Sequence, residues 1–409
     1  MISWSTAGES HGAALVALIE GIPAGVEITS TEISSELARR RRGYGRGSRQ
    51  KFEEDLLEVV SGLRHGKTLG SPISLIIRNS EWQKWETVMS ADPVDPKDLL
   101  VNAGIGDERE IARNKKLTKP RPGHADLVGM NKFGFSDARN VLERASARET
   151  AARAALGAVA KAYLRQAAGI EIGSQVIQIG SVKAPESVRT NFTPKDFIAL
   201  DQSAVRTLDT AVETAFINEI DAAKHDGDTL GGVAEVIAFN VPQALGTYTD
   251  NQLRLDAQIA GAMMSIQAVK GVEIGDGFTT AGRRGSQAHD EILRDISVPQ
   301  KPILRETNRA GGIEGGMSNG EPIIVRLAYK PISTVPHALR TIDIETGAAA
   351  AALHQRSDTT AVVPGAVIGE AMLALVLARA LNDKFGGDSI SETRHNLKAF
   401  LHTIPKERR

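Results

Sequence analysis

The sequence predicts a mixed α/β (α+β) fold built as one domain, and three observations carry that reading. Strand-like runs and helical patterns are interleaved, but they do not alternate as regularly as a barrel or a doubly wound sheet requires. No Pro/Ser-rich linker divides the 409 residues, and no repeat of fixed short period appears. The composition, 41% hydrophobic and 24% charged, is that of a chain able to bury a sizeable core. We expect a single domain over residues 1–395, followed by a short tail at 396–409.

The elements follow in order. Residues 13–19 read as a strand, preceded by the polar insert GESHG at 8–12. Thr29 and Glu32 form a capping box, and Ile33 and Leu37 fall on one face, so a helix follows. That helix runs into a cluster of arginines, which suit the negative end of the helix dipole, and Gly43 ends it. Residues 56–60 and 73–77 read as short strands, and the polar segment 80–118, with Trp82 and Trp85, as a long surface excursion. A second helix should start near Ser146, with Glu149 completing a capping box, run through an alanine-rich stretch to Gln166 and stop at Gly169. Helical patterns recur at 210–224, 254–270 and 364–384, and strand-like runs at 171–182, 231–240 and 322–329. Residues 361–378 are apolar but broken by Glu370, which indicates a buried helix rather than a membrane span of ~20 apolar residues.

Charge and composition narrow the function. The formal net charge is −1, which argues against a dedicated nucleic-acid binder. There is no cysteine, so disulfides, thiolate metal sites and thiol nucleophiles are excluded, and a reducing cytoplasm is compatible. Met1 leads directly into polar, glycine-containing sequence without the pattern of a signal peptide. Against this neutral background, RRRRGYGRGSR at 39–49 places six arginines and three glycines in eleven positions. Arginine presents a planar fork that matches phosphate and carboxylate oxygens two at a time, and glycine lets the backbone come close to a ligand. The stretch suits a small substrate with several negative charges; on its own it suits a solvated basic face or a nucleic-acid patch equally well.

Two histidines stand out by their flanks. His11 lies in GESHG beside Ser10, and His124 lies in RPGHAD between Arg121 and Asp126. Either can exchange a proton near neutral pH. His65, His225 and His289 read as structural. GLRHGKT at 62–68 lacks the phosphate-loop spacing, because Ser61 stands where a glycine is needed, and GGIEGG at 311–316 is not the dinucleotide fingerprint. No metal-ligand spacing is found. Three further places suit an anionic cofactor: the helix start at Ser146 with Arg144 outside it, Lys330 with Ser333 and Thr334 in KPIST, and Arg356 with Asp358 in RSDTTAV.

Taken together, GESHG, RRRRGYGRGSR, RPGHADL, RASARETAAR, DGDTLGG, GGIEGGMSNG, KPISTV and RSDTTAV resemble, in order and over nearly the whole chain, the chorismate synthase family. The resemblance implies a β-α-β sandwich with helices packed between antiparallel sheets, assembled as a cytoplasmic homotetramer. It implies the last step of the shikimate pathway, anti-1,4-elimination of phosphate from 5-enolpyruvylshikimate 3-phosphate to give chorismate. It also implies reduced FMN as cofactor, with NADPH or a separate flavin reductase as the source of electrons. The absence of an evident reductase domain favours the outside source. By the same resemblance, Arg40, Arg46 and Arg49 line the substrate or nicotinamide-nucleotide side, and His11 protonates the leaving phosphate. His124 sits by the flavin, Ser10 and Ser146 relay hydrogen bonds, and Asp358 assists proton transfer to flavin N5. FMN contacts fall on Arg144, Ala145, Ser146, Gln267, Ala268, Gly315, Lys330, Pro331, Ile332, Ser333, Thr334 and Arg356. One departure is visible: many family members carry histidine where this chain has Ser357, so no proton-handling role passes to that position. The competing expectations are a nucleic-acid-binding protein, whose binding would fall steeply with salt, and a flavin-dependent NADPH reductase, which would consume NADPH in step with product. Neither a membrane nor a nucleic-acid partner is expected.

Overall fold

The computed structural model describes residues 1–47, 55–99, 113–188, 191–295, 297, 303–352 and 358–408. Two antiparallel sheets form its outer layers. The first contains β1 (Ser3–Ala7), β2 (Ala14–Glu20), β3 (Leu56–Ser61) and β4 (Ile73–Arg78), in the order β1-β2-β4-β3. The second contains β5 (Glu171–Ile179), β6 (Val182–Lys183), β7 (Gly232–Phe239), β8 (Val269–Ile274) and β9 (Ile323–Tyr329), in the order β8-β9-β7-β5-β6. In β2, Leu15, Ala17 and Ile19 are buried, so period-2 alternation sends one face to the core.

The main helices are α1 (Ser30–Arg41), α2 (Asp126–Phe133), α3 (Arg139–Ala145), α4 (Thr150–Ala168), α5 (Thr210–His225), α6 (Leu255–Met264), α7 (Val362–Phe385) and α8 (Ile390–Thr403). Helix α4 packs on β2 and β4 of the first sheet, α7 packs on β5 and β7 of the second, and the two helices meet in the middle. The contact is close because Gly157 of α4 abuts Ala371 of α7: a Cβ on Gly157 would lie 2.3 Å from the Ala371 Cβ. The expected sandwich, helices between antiparallel sheets, is therefore the fold observed.

Most expected elements form where the local chemistry placed them. The Thr29–Glu32 capping box opens α1, and Gly169 ends α4 in the left-handed region at φ 71°. Helix α7 is long and apolar enough to cross a membrane, but 89% of its apolar window is buried inside the protein. Glu370 is tolerated there because Arg39, Lys161 and Arg206 pair with it and Ser174 donates a hydrogen bond of 2.6 Å. Burial alone would raise its pKa; the three cations hold it well below the usual carboxylate range.

Some expectations are corrected. The helix expected over 254–270 stops at Met264; the chain then turns, Ala268 takes a left-handed φ of 70°, and a strand begins at Val269. Glu149 does not complete a capping box with Ser146. The Ser146 side chain accepts from Arg148 N, while the Glu149 carboxylate takes Thr6 Oγ1, Arg153 and Gln267 instead. Residues 396–403 lie within α8, whose Leu397 joins the main core, so the chain is still packed where a tail was expected. Helices α2 and α3 are short, and they stand in a region where the periodicity predicts no helix.

Candidate active site

The GESHG insert is a tight turn between β1 and β2. Gly8, at φ 99°, lies so close to β2 that a Cβ there would meet the Ala14 carbonyl at 2.3 Å. Asn79, just past β4, ties the turn down by donating to the Gly12 carbonyl at 2.6 Å. The turn is held from the other side by Glu143 of α3. The Glu143 main-chain carbonyl accepts from Ser10 N at 3.0 Å, and its carboxylate accepts from His11 N at 2.9 Å and lies 2.9 Å from the ring Nδ1. Trp85 stacks on the imidazole with centroids 3.8 Å apart and planes inclined by 22°. Ser146 donates to Ser10 Oγ at 3.2 Å, bringing the two expected relay serines together. Arg144 spends its terminal nitrogens on β1 and the turn after it, at the Thr6 carbonyl (2.8 Å) and the Gly8 carbonyl (3.1 Å), and Ala145 closes α3 beside it.

The arginine stretch does not form one pocket. Arg39 turns into the core to pair with Glu370, Asp201 and Glu36. Arg40, buried, points the other way, donates to Thr150 Oγ1 at 3.5 Å and shares the Asp55 carboxylate with Arg41 and Arg148. Burial, with Arg148 and Arg46 close by, pulls the Arg40 pKa down to about 10 against the pull of Asp55. Arg46 pairs with Asp358 at 2.8 Å, and Gly47 N donates to the same carboxylate at 2.6 Å. Arg40, Arg41 and Arg148 thus meet at Asp55, and Arg46 meets Asp358. Arg40 Nε and Arg148 Nη2 are buried without a hydrogen-bond partner among the described residues. Arg49 and Arg356 lie outside the described residues.

His124 anchors the third group. Its Nδ1 lies 2.5 Å from Asp126 Oδ1, and the same carboxylate accepts from Arg121 N at 3.1 Å and Nε at 2.8 Å. Burial would raise the Asp126 pKa; hydrogen bonds from His124 and Arg121 hold it far below the usual carboxylate range. The KPIST segment closes over this loop. Lys330 Nζ donates to the Gly123 carbonyl and to Ser333 Oγ, both at 2.6 Å, and Arg121 donates to Thr334 Oγ1 at 3.2 Å. Burial and the nearby Lys270 and Arg121 lower the Lys330 pKa. The Ile332 carbonyl accepts from Thr229 Oγ1, fixing the segment beyond Pro331.

Hydrogen bonds join the groups. Lys330 N donates to the Ala268 carbonyl at 2.9 Å, and the adjacent Gln267 donates to Glu149 at 3.1 Å, next to Arg148. Leu230 N, one residue from Thr229, donates to the Thr359 carbonyl beside Asp358. Gly315 is the exception: its hairpin, Ile313 to Ser318, is tied to the 244–255 segment instead. The assembled site offers two oriented imidazoles, buried guanidiniums and a cationic strap, which is chemistry for holding a polyanion and moving protons.

Comparison with known proteins identifies the family. The family model described as chorismate synthase matches residues 2–381. A chorismate synthase of Beutenbergia cavernae is 58% identical over 409 residues, the full length of both chains. Another, from Mycobacterium avium, is 59% identical over 404 residues, spanning 99% of this chain and 97% of the relative. A crystal structure of chorismate synthase aligns with a TM-score of 0.75 at 39% identity, covering 98% of each chain. The chain belongs to the chorismate synthase family. Like the chorismate synthases it resembles, it is a carbon–oxygen lyase of the shikimate pathway. Several residues of this chorismate synthase site escaped the sequence reading: Glu143, Arg148, Asp55, Asn79 and Trp85. Arg148 stood inside RASARETAAR, and a tryptophan in an otherwise polar stretch was a signal that Trp85 must find a partner.

Proposed function

We propose that this chain holds 5-enolpyruvylshikimate 3-phosphate at the arginines around Asp55 and Asp358 and removes its phosphate there, with reduced FMN bound alongside. The observation that carries the reading is the pair of buried guanidiniums that meet at Asp55. Arg40 and Arg148 share that carboxylate, and Arg40 Nε and Arg148 Nη2 are buried without a hydrogen-bond partner among the described residues. Buried like charges repel, so a substrate bearing a phosphate and two carboxylates relieves a strain that a neutral ligand would leave in place.

The residues also fit the flavin. Gln267 Oε1 is a buried acceptor without a partner among the described residues, next to Ala268 in its left-handed conformation. Lys330, with Lys270 and Arg121 nearby, supplies cationic charge for a phosphate. Reduced FMN, when bound, would supply electron density to the breaking C–O bond. His11 delivers a proton to the departing phosphate, Asp358 assists removal of the ring proton, and His124, oriented by Asp126, stabilises negative charge. Ser10 and Ser146 complete the hydrogen-bond chain around His11. The same reading takes the chain to be a cytoplasmic homotetramer whose flavin is reduced by an outside source.

The test is anaerobic turnover of the phosphorylated substrate with photoreduced FMN, following chorismate absorbance and phosphate release together. Equal yields without net flavin oxidation support the reading. NADPH consumption in step with product would replace it with a reductase, and strongly salt-dependent nucleic-acid binding without turnover would replace it with a binding protein.

A further inference from the structure

We infer that Glu143 is a positioning residue that sets the tautomer and plane of His11, with Trp85 as the platform that locks the ring. The inference rests on the reading of His11 as the proton donor and adds the group that makes that donation directional.

Glu143 grips the Ser10–His11 turn in three places. Its main-chain carbonyl takes the N–H of Ser10, and its carboxylate takes the main-chain N–H of His11 and faces the ring Nδ1, with Oε1 at 2.9 Å and Oε2 at 3.0 Å. One side chain therefore fixes both the backbone and the ring of its neighbour. The side chain of Glu143 is 1% exposed and that of His11 is 12% exposed, so water does not compete for these bonds. Arg139, one turn earlier on α3, brings Nη1 to 3.7 Å from the carboxylate and also lies 5.4 Å from the Trp85 ring centroid. Arg113 lies over the same ring at 5.6 Å. Carboxylate and tryptophan hold the imidazole along its edge and across its face.

The chemical consequence is a choice of nitrogen. An ionised carboxylate only accepts, so the nitrogen facing it carries hydrogen, and Nδ1–H is committed to Glu143. The proton that leaves therefore leaves from Nε2. In the elimination, the electron pair of the breaking C–O bond departs with the phosphate. The Nε2 proton passes to a phosphate oxygen, and the imidazole is left neutral with Nδ1–H still on Glu143. A carboxylate behind an imidazole serves general acids and bases on unrelated folds in this way.

The experiment uses the full-length protein with 15N-labelled histidine, observed by NMR without substrate or flavin, alongside anaerobic kinetics. The neutral His11 ring of the wild type is expected to carry its proton on Nδ1. Glu143→Gln should reverse that tautomer, because its amide oxygen is held by His11 N and its NH2 then donates to Nδ1, leaving the ring proton on Nε2. Glu143→Ala should lose it, with kcat lower by about 10² or more and KM for the substrate within a few-fold. A wild-type ring protonated on Nε2, or a Glu143→Ala ring with an unchanged tautomer, overturns the proposal; the first needs no variant to fold. The two readings separate cleanly. Loss of the tautomer in Glu143→Ala with full turnover in His11→Ala supports the positioning and removes His11 from the chemistry. An unchanged tautomer with an inactive His11→Ala does the reverse.

Discussion

Replacing Asp126 by asparagine should cost stability and ligand affinity together, and the structure sets the size of the loss. Asp126 is 2% exposed, and its carboxylate receives Arg121 N, Arg121 Nε, Arg121 Nη2 and His124 Nδ1. An asparagine there keeps one acceptor oxygen but no charge, which leaves the Arg121 guanidinium, itself 8% exposed, buried without its counter-ion. Breaking such a buried pair costs about 3–5 kcal/mol, or about two to four decades in the unfolding equilibrium. The pH dependence gives a second check. The folded-state pKa of Asp126 is depressed, so its stabilisation is fully present above the unfolded value of about 3.9 and is lost as pH falls through the lower folded value. The gap between wild type and Asp126→Asn in denaturant unfolding should stay constant from pH 7 to about 4 and narrow below that. Loss of His124 orientation should also weaken FMN binding, read by quenching of flavin fluorescence. A variant within about 0.5 kcal/mol of wild type at pH 7, with unchanged FMN affinity, would refute the argument, because that is the scale of an ordinary surface substitution.

Three further outcomes are expected. His11→Ala should lower anaerobic turnover by ~10²–10⁴ while leaving KM within a few-fold, the usual scale for a positioned acid, and unchanged phosphate release would remove it from the mechanism. Because burial, Lys270 and Arg121 depress the Lys330 pKa, FMN affinity should fall as pH rises through a range that begins below the ordinary lysine value. Titration calorimetry should show that limb in wild type and its absence in Lys330→Gln. Gly157→Ala should destabilise the fold by about 1–3 kcal/mol even though alanine is the better helix former, because the new Cβ would sit 2.3 Å from that of Ala371. An equal or higher unfolding midpoint would show that α4 and α7 can move apart at little cost.

Read as sequence, the chain fixes what depends on near neighbours. Thr29 with Glu32 opens a helix, Gly169 closes one, and the alternation in 13–19 makes a one-sided strand, because caps and periodicity act within a turn or a pleat. The flanks of His11 and His124 and the ordered motifs already pointed to the site and the family. Only the folded chain decides which side chains meet. Arg39 and Arg40 are adjacent in sequence, yet about 100° of helical rotation sends one to Glu370 in the core and the other to Asp55 in the site. Glu143 reaches His11 across 132 residues, and no spacing rule spans that distance. Tertiary packing brings such partners together because the free energy of burying charge is settled by whatever surrounds it in space, not by what precedes it along the chain.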